Sequence, residues 1–343
     1  MSSPAGSALP PSGVTATWNR RLAAAVGLGI TVALLAVIWA RVDTAHVIAA
    51  LRSVSWIAFA AAGALLAAGF TAKITRWHVM LTSVSPDVTW ITAAQTLLAS
   101  VALNNVLPFR AGDVARVFAF RDRLRIKAAS LIPLLLLERI LDAGMLLILA
   151  GLVAIPVGSE LFPQHLGSLG ALGFTAVLGI VGLAVAAGPG AQALLPLRTR
   201  AIGWLPAGIR APAVLALEVL ARQLRGWQGS KLALLTALAW GLEGGSLAAL
   251  AAGFGISRPI LAGYFSCALA TLATLIPSSP GFFGTYHAAA IAAVEVFGAT
   301  PDLATAYAVL AHAIMWVPLT LLGLLCLAWL SARRLLTPAG ETP

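Results

Sequence analysis

The stretch Asn104-Asn105-Val106-Leu107-Pro108-Phe109-Arg110-Ala111-Gly112-Asp113-Val114-Ala115-Arg116 closes an uncharged run, residues 88–109, with a proline, a glycine and three charges. Proline lacks the N–H that a helix interior needs, so a helix arriving at Pro108 stops or turns there. A second stretch of the same kind is Ile276-Pro277-Ser278-Ser279-Pro280-Gly281-Phe282, inside an uncharged run from 259 to 294. As one straight helix that run would measure about 54 Å, against about 30 Å of hydrocarbon in a bilayer. It must bend.

Around these breaks the composition is that of a membrane protein. Of 343 residues, 60% are apolar and 10% charged, and the mean hydropathy is +0.94. An ordinary globular domain carries about 25% charge. Disordered, coiled-coil, collagenous and disulfide-scaffold classes are excluded. The net charge of +10 comes from cations set in short segments between apolar runs. That placement points to topology and anionic lipid, and away from nucleic acid. Cys267 and Cys326 lie in apolar runs and read as core thiols.

Six apolar stretches are expected to cross the membrane: residues 22–40, 54–72, 128–155, 166–187, 232–254 and 303–330. Residues 1–18 read as a disordered tail, 19–331 as one transmembrane unit and 332–343 as a short cytoplasmic tail. The positive-inside rule then places both termini in the cytoplasm, with Lys73, Arg76 and the basic segment 110–127. In this topology 18 of the 22 cations face inward. It holds only if residues 88–109 enter from the cytoplasm and turn back, and if 259–294 do the same from outside. The expected fold is therefore all-α and polytopic, with six full spans and two oppositely oriented re-entrant hairpins in an inner cell membrane.

Both breaks share an aliphatic residue, Pro, three residues and Gly. Paired broken helices of opposite orientation are the usual pointer to a transport site near the midplane. Chance recurrence of so short a spacing is the other reading, since Pro and Gly are common in membrane helices. A half-helix presents unpaired N–H groups and a partial positive charge, which suit an anion such as phosphate.

The polar residues at membrane depth are the candidate site. Arg110 and Arg116 beside the first break can grip phosphate, with Asp113 holding a guanidinium in place. They are otherwise positive-inside anchors. Glu138, Arg139 and Asp142 lie deep in one span, and Glu138 and Asp142 share a helix face. They form a charged cavity wall or a buried ion network that fixes packing, and they need cations such as Arg116 or Arg139 opposite. Glu243 is a lone central carboxylate, and His312 a candidate proton relay or a core histidine. No metal-ligand spacing, nucleophile elbow, Walker loop or cofactor fingerprint occurs in a fitting context. Neither an enzyme nor a metal or cofactor is expected.

Three motifs in order carry a resemblance: Asn105-x-x-Pro108-x-Arg110-x-Gly112-Asp113-x-x-Arg116, Glu138-Arg139-x-x-Asp142, and Pro277-x-x-Pro280-Gly281-x-x-Gly284-Thr285. From residues 22 to 330 the chain resembles the lysylphosphatidylglycerol synthase transmembrane family, a flippase-like domain found fused to aminoacyl-phospholipid synthases or alone. The resemblance implies translocation of an anionic, aminoacylated or polyprenyl-phosphate-linked lipid between leaflets. Ser279, within the second break, and His287, just past it and within reach of headgroup level, also belong to the candidate site. Asp113 stands where the family more often has Glu, and His287 where many members are acidic. Only 13 residues follow Leu330, so no synthase domain is expected and a separate enzyme would make the lipid. A small-anion transporter and an accessory of a lipid-modifying or glycosyl-transfer enzyme remain as alternative readings.

Overall fold

The computed structural model describes residues 12–108, 110–161, 206–276 and 278–336, and among these the chain is helical, without strands. Helix α1 (Ser12–Trp39) begins inside the stretch read as a tail; residues 1–11 lie outside the described residues, as does the expected span 166–187. An 86° bend leads into α2 (Thr44–Ser53), whose start is capped by Asp43 accepting from the Ala45 N–H at 2.7 Å. Helix α3 (Trp56–Thr82) and α4 (Trp90–Val106) follow, the latter capped by Thr89.

After Val106 the chain breaks as Pro108 requires, and α5 (Ala111–Phe118) folds back against α4. Gly112 makes this fold-back possible: a Cβ there would overlap the Ser100 carbonyl on α4. A single turn, α6 (Arg121–Leu124), precedes α7 (Ala128–Leu161). Beyond residue 205 come α8 (Ala207–Gln223), α9 (Gly226–Gly253) and α10 (Pro259–Ala273). A short 3₁₀ turn (Pro280–Phe282) then separates α10 from α11 (Thr285–Glu295), and α12 (Pro301–Leu336) closes the fold.

Three of these helices are long and apolar enough to cross a membrane: Trp56–Thr82, Gly226–Gly253 and Pro301–Ala332. Helix α7 has the length, but Glu138, Arg139 and Asp142 interrupt its apolar face. Small residues set the helix spacing, as expected where helices meet without a hydrophobic driving force. Gly263 of α10 lies against the α9 backbone at Ala248, and Gly323 of α12 against Leu98 of α4.

Helix α12 is the rail along which both broken hairpins are placed. Near its C-terminal end, Arg123 sits 5.5 Å above the Trp329 ring and donates to Gln95 of α4. Further back, Asn105 at the end of α4 donates to Thr320 at 2.8 Å. From the opposite end, Asp302 accepts from the Asp43 N–H, and Glu295 at the far end of α11 pairs with Arg41. Tyr286 and His287, at the start of α11, reach Met315 and His312. The α4–α5 and α10–α11 hairpins therefore approach along α12 from opposite ends, and their breaks meet near Trp316–Thr320.

Candidate functional site

Where the breaks meet, Arg110 crosses between them. Its Nη2 donates to Thr274 Oγ1, just past α10, at 3.0 Å, and its guanidinium stands 5.9 Å from the Phe282 ring. Both Arg110 (φ 50) and Phe282 (φ 59) hold left-handed backbone angles. Such conformations cost about 1–3 kcal/mol in a residue with a Cβ and persist where surrounding structure fixes them.

Behind Arg110 lies a network of buried charges drawn from four helices. Arg116 of α5, 2% exposed, donates from Nη1 to Glu138 Oε2 at 2.8 Å and from Nε to Ser100. Arg139 Nη2 binds the other oxygen of Glu138 at 2.6 Å and approaches Asp113 and Asp142 at 3.8 and 3.9 Å. Asp113 is held by Asn104, which donates to its carboxylate and accepts its backbone N–H. Asp142 takes Arg76 Nη2 at 2.8 Å and the Trp240 indole N–H at 2.9 Å. Arg76 also donates to Thr236 of α9.

Glu243, 1% exposed, ends the chain of charges. Lys73 Nζ lies 2.6 Å from its Oε1, off the hydrogen-bonding angle, and 3.7 Å from the Trp240 ring centroid. Among the described residues Oε2 has no hydrogen-bond partner. Five cations (Lys73, Arg76, Arg110, Arg116, Arg139) thus stand with four carboxylates (Asp113, Glu138, Asp142, Glu243). Isolated at membrane depth, each charge would cost about 2.5–3.5 kcal/mol on insertion scales. Pairing makes the set tolerable, and one positive charge is left over.

The second break is built differently. Thr31 of α1 accepts from the Ser279 N–H and donates to the Phe283 carbonyl, both at 3.0 Å. Gly281 (φ 75) and Gly284 (φ 85) take angles that favour glycine, and Pro280 opens the turn. Thr285 donates to the Phe282 carbonyl and shares a hydrogen bond with Ser278. Pro277 lies outside the described residues.

Residues 24–323 match the family described as Lysylphosphatidylglycerol synthase TM region. The chain belongs to this family. It is also 25% identical to Glycosyltransferase AglD of Haloferax volcanii over 336 aligned residues, covering 86% of this chain and 52% of that protein. The chain thus spans about half the length of this curated relative. No solved structure matches. As a member of the lysylphosphatidylglycerol synthase transmembrane family, the chain is a multi-pass membrane protein with a lipid-related role.

Of the residues singled out in the sequence of this family member, Asp113, Arg116, Glu138, Arg139 and Asp142 meet in one network. Glu243 joins it through Lys73 and Trp240. Asn105, Pro108 and Gly112 shape the first break; Ser279, Pro280, Gly281, Gly284 and Thr285 shape the second. His287 and His312 stand apart in a cluster of rings. One assignment is corrected: Lys73 and Arg76, counted as cytoplasmic cations, lie within the long apolar helix α3, which continues to Thr82; Arg76 is buried, Lys73 is partly covered, and each pairs with a carboxylate. Their signal was the carboxylate count, since a single cation within the spans cannot satisfy Glu138, Asp142 and Glu243. Trp240 donates to Asp142, and Thr31 carried no sequence signal.

Proposed function

We propose that this protein moves a lipid with an anionic headgroup between leaflets, and that the meeting point of the two breaks receives the headgroup. In this reading the hairpins are re-entrant, α4–α5 from the cytoplasm and α10–α11 from outside, with both termini cytoplasmic. The observation that carries it is Arg110. It lies at the tip of one hairpin, half-buried, and it brings the surplus positive charge to the other tip, where its hydrogen bond ends on a neutral hydroxyl. A phosphate can take both guanidinium donors in parallel and displace the weaker hydroxyl contact. The paired charges behind it hold the wall in place, since ion pairs and hydrogen bonds in a low-dielectric setting reinforce one another. Broken backbone at membrane depth is tolerated only inside protein or beside a wet cavity, which agrees with this placement.

Asp113, Arg116, Glu138, Arg139, Asp142 and Glu243 act in this proposal as the wall, and Asn105, Gly112 and the 279–285 turn as the frame. The chemistry is translocation without bond making. The glycosyltransferase name belongs to the archaeal relative, and it is a reason to try polyprenyl-phosphate-linked sugars beside phospholipids as cargo. The test is a vesicle assay. Purified protein in proteoliposomes carrying headgroup-labelled phosphatidylglycerol or a labelled polyprenyl phosphate should bring inner-leaflet label to an external quencher faster than protein-free vesicles. Rates equal to protein-free vesicles with both lipids would overturn the proposal.

A further inference from the structure

On the side of the second break away from the charges, His287 and His312 touch with ring centroids 4.7 Å apart, nearly perpendicular. Tyr286 stacks on His312 at 4.8 Å, and Phe283 lies against both imidazoles at 6.0 and 5.0 Å. His287 is buried, and its Nδ1 has no hydrogen-bond partner among the described residues; neither has the nearby Trp316 indole N–H. His312 faces the backbone of Gly281, the left-handed glycine of the turn, which itself packs on Trp316.

We propose that this histidine pair is a proton-binding site that couples lipid movement to proton movement. The inference rests on the transport reading for the cargo, but the pair's chemistry is separate from the arginine site.

Around the rings, helix α11 contributes Tyr286 and α12 contributes Trp316, while Phe283 and Gly281 come from the turn. Beyond them, Tyr307 of α12, Cys267 of α10 and Glu243 of α9 lie within electrostatic reach of Tyr286. No carboxylate among the described residues contacts either imidazole. In the packed arrangement both rings are accommodated neutral, because an imidazolium would be buried with no counter-charge. With hydrogen on the other ring nitrogen, the bare Nδ1 of His287 offers a lone pair ready to accept a proton.

Geometry links that proton to the break. Phe283 is 40% exposed on one side and covers the histidines on the other. It sits between Gly281 and Gly284, the two joints whose angles glycine tolerates best. Swinging the turn about these joints lifts Phe283, wets the pair and lets one proton bind. An anionic headgroup bound at the break supplies the counter-charge that an occluded imidazolium lacks, so the loaded turn closes with its proton. Lipid and proton are then released together when the turn opens to the other face, and one proton crosses with each lipid moved.

The experiment uses the full chain in proteoliposomes with labelled phosphatidylglycerol, the membrane potential clamped, and a pH gradient imposed in either direction. The expected wild-type result is a rate of lipid movement that differs at least about fivefold between the two gradient directions. His287→Gln and His312→Gln should move lipid at a rate indifferent to the gradient, while His46→Gln behaves as wild type. Equal wild-type rates in both directions, or a gradient response retained by both variants, overturns the proposal. Lipid movement absent under every condition counts against the transport reading instead. The pair is then decided by ring-nitrogen NMR of labelled histidine in nanodiscs. Acidification from about pH 8 to about pH 5 should convert one ring of the pair to imidazolium. Two rings that stay neutral throughout overturn the inference whatever the vesicles do.

Discussion

Arg110 and Phe282 face each other, each in the left-handed region at the break of its own hairpin, with the guanidinium carbon 5.9 Å from the ring centroid. That distance is at the outer edge of a cation–π contact. Two strained residues, one per hairpin, meeting at one point are held there by the folds behind them. Strain of this kind concentrates where a site must be ready before its ligand arrives.

Separating binding from folding is therefore most direct at Arg110. Arg110→Gly removes the headgroup contact and relieves the left-handed strain, a gain of about 1 kcal/mol. Its thermal unfolding midpoint should match or exceed wild type while lipid movement in vesicles falls at least about tenfold, one good charge-assisted contact. Wild-type movement by Arg110→Gly would remove Arg110 from the site.

Arg116 and Glu138 should behave oppositely. Removing one partner unbalances the buried network, at a cost of up to about 3 kcal/mol, the lower end for a buried pair, because Glu138 keeps Arg139 and Arg116 keeps Asp113. Arg116→Gln and Glu138→Gln should each lower the unfolding midpoint in detergent by many degrees. The paired change Arg116→Met with Glu138→Leu removes one charge of each sign but leaves Arg139 without its 2.6 Å partner, so it should recover part of that stability and not all of it. Equal midpoints for single and paired variants would show that the ion pair does not hold the bundle.

Gly112→Ala tests the close approach of α5 to α4. The added methyl would overlap the Ser100 carbonyl, and backbone cannot swing aside as a side chain can. Destabilisation near 3 kcal/mol, the upper end of the overpacking range, is expected in thermal or denaturant melts. Gly241→Ala, where nothing lies within 4 Å, should be neutral or mildly stabilising.

How much of this could be read from the sequence depended on distance along the chain. Pro108 and Gly112, or Pro280 and Gly281, act on their own backbone, so both breaks were legible within a few residues. Glu138 and Asp142 announced themselves by depth, and their need for cations followed from desolvation. Which cations answered was not legible. Lys73 and Arg76 sit where an apolar run ends, and a positive-inside count treats every such residue alike. Their partners lie on α7 and α9, and only the packing of α3 against α9 reveals the match. The rail-like part played by α12 was equally hidden, because Gly323 and Thr320 resemble ordinary small residues of an apolar helix.

Orientation is open to a direct measurement. Cysteine placed at Arg121, exposed on α6, should react with an impermeant thiol reagent only in inverted vesicles. Cysteine placed at Arg52, exposed on α2, should react only in intact cells. The reverse pattern would turn the whole topology over.

The Lys73–Glu243 and Arg76–Asp142 pairs also carry a consequence for synthesis. Helix α3 leaves the ribosome before either carboxylate exists. At about 5–20 residues per second, Lys73 waits roughly ten to thirty seconds for Glu243 to be made. An unpartnered ammonium and guanidinium cannot rest in hydrocarbon for that time, so the C-terminal turns of α3 must first lodge at a headgroup layer, their long stems reaching for water. Only when α7 and α9 arrive can both cations sink inward. In the finished fold both cations pair instead with carboxylates of α7 and α9.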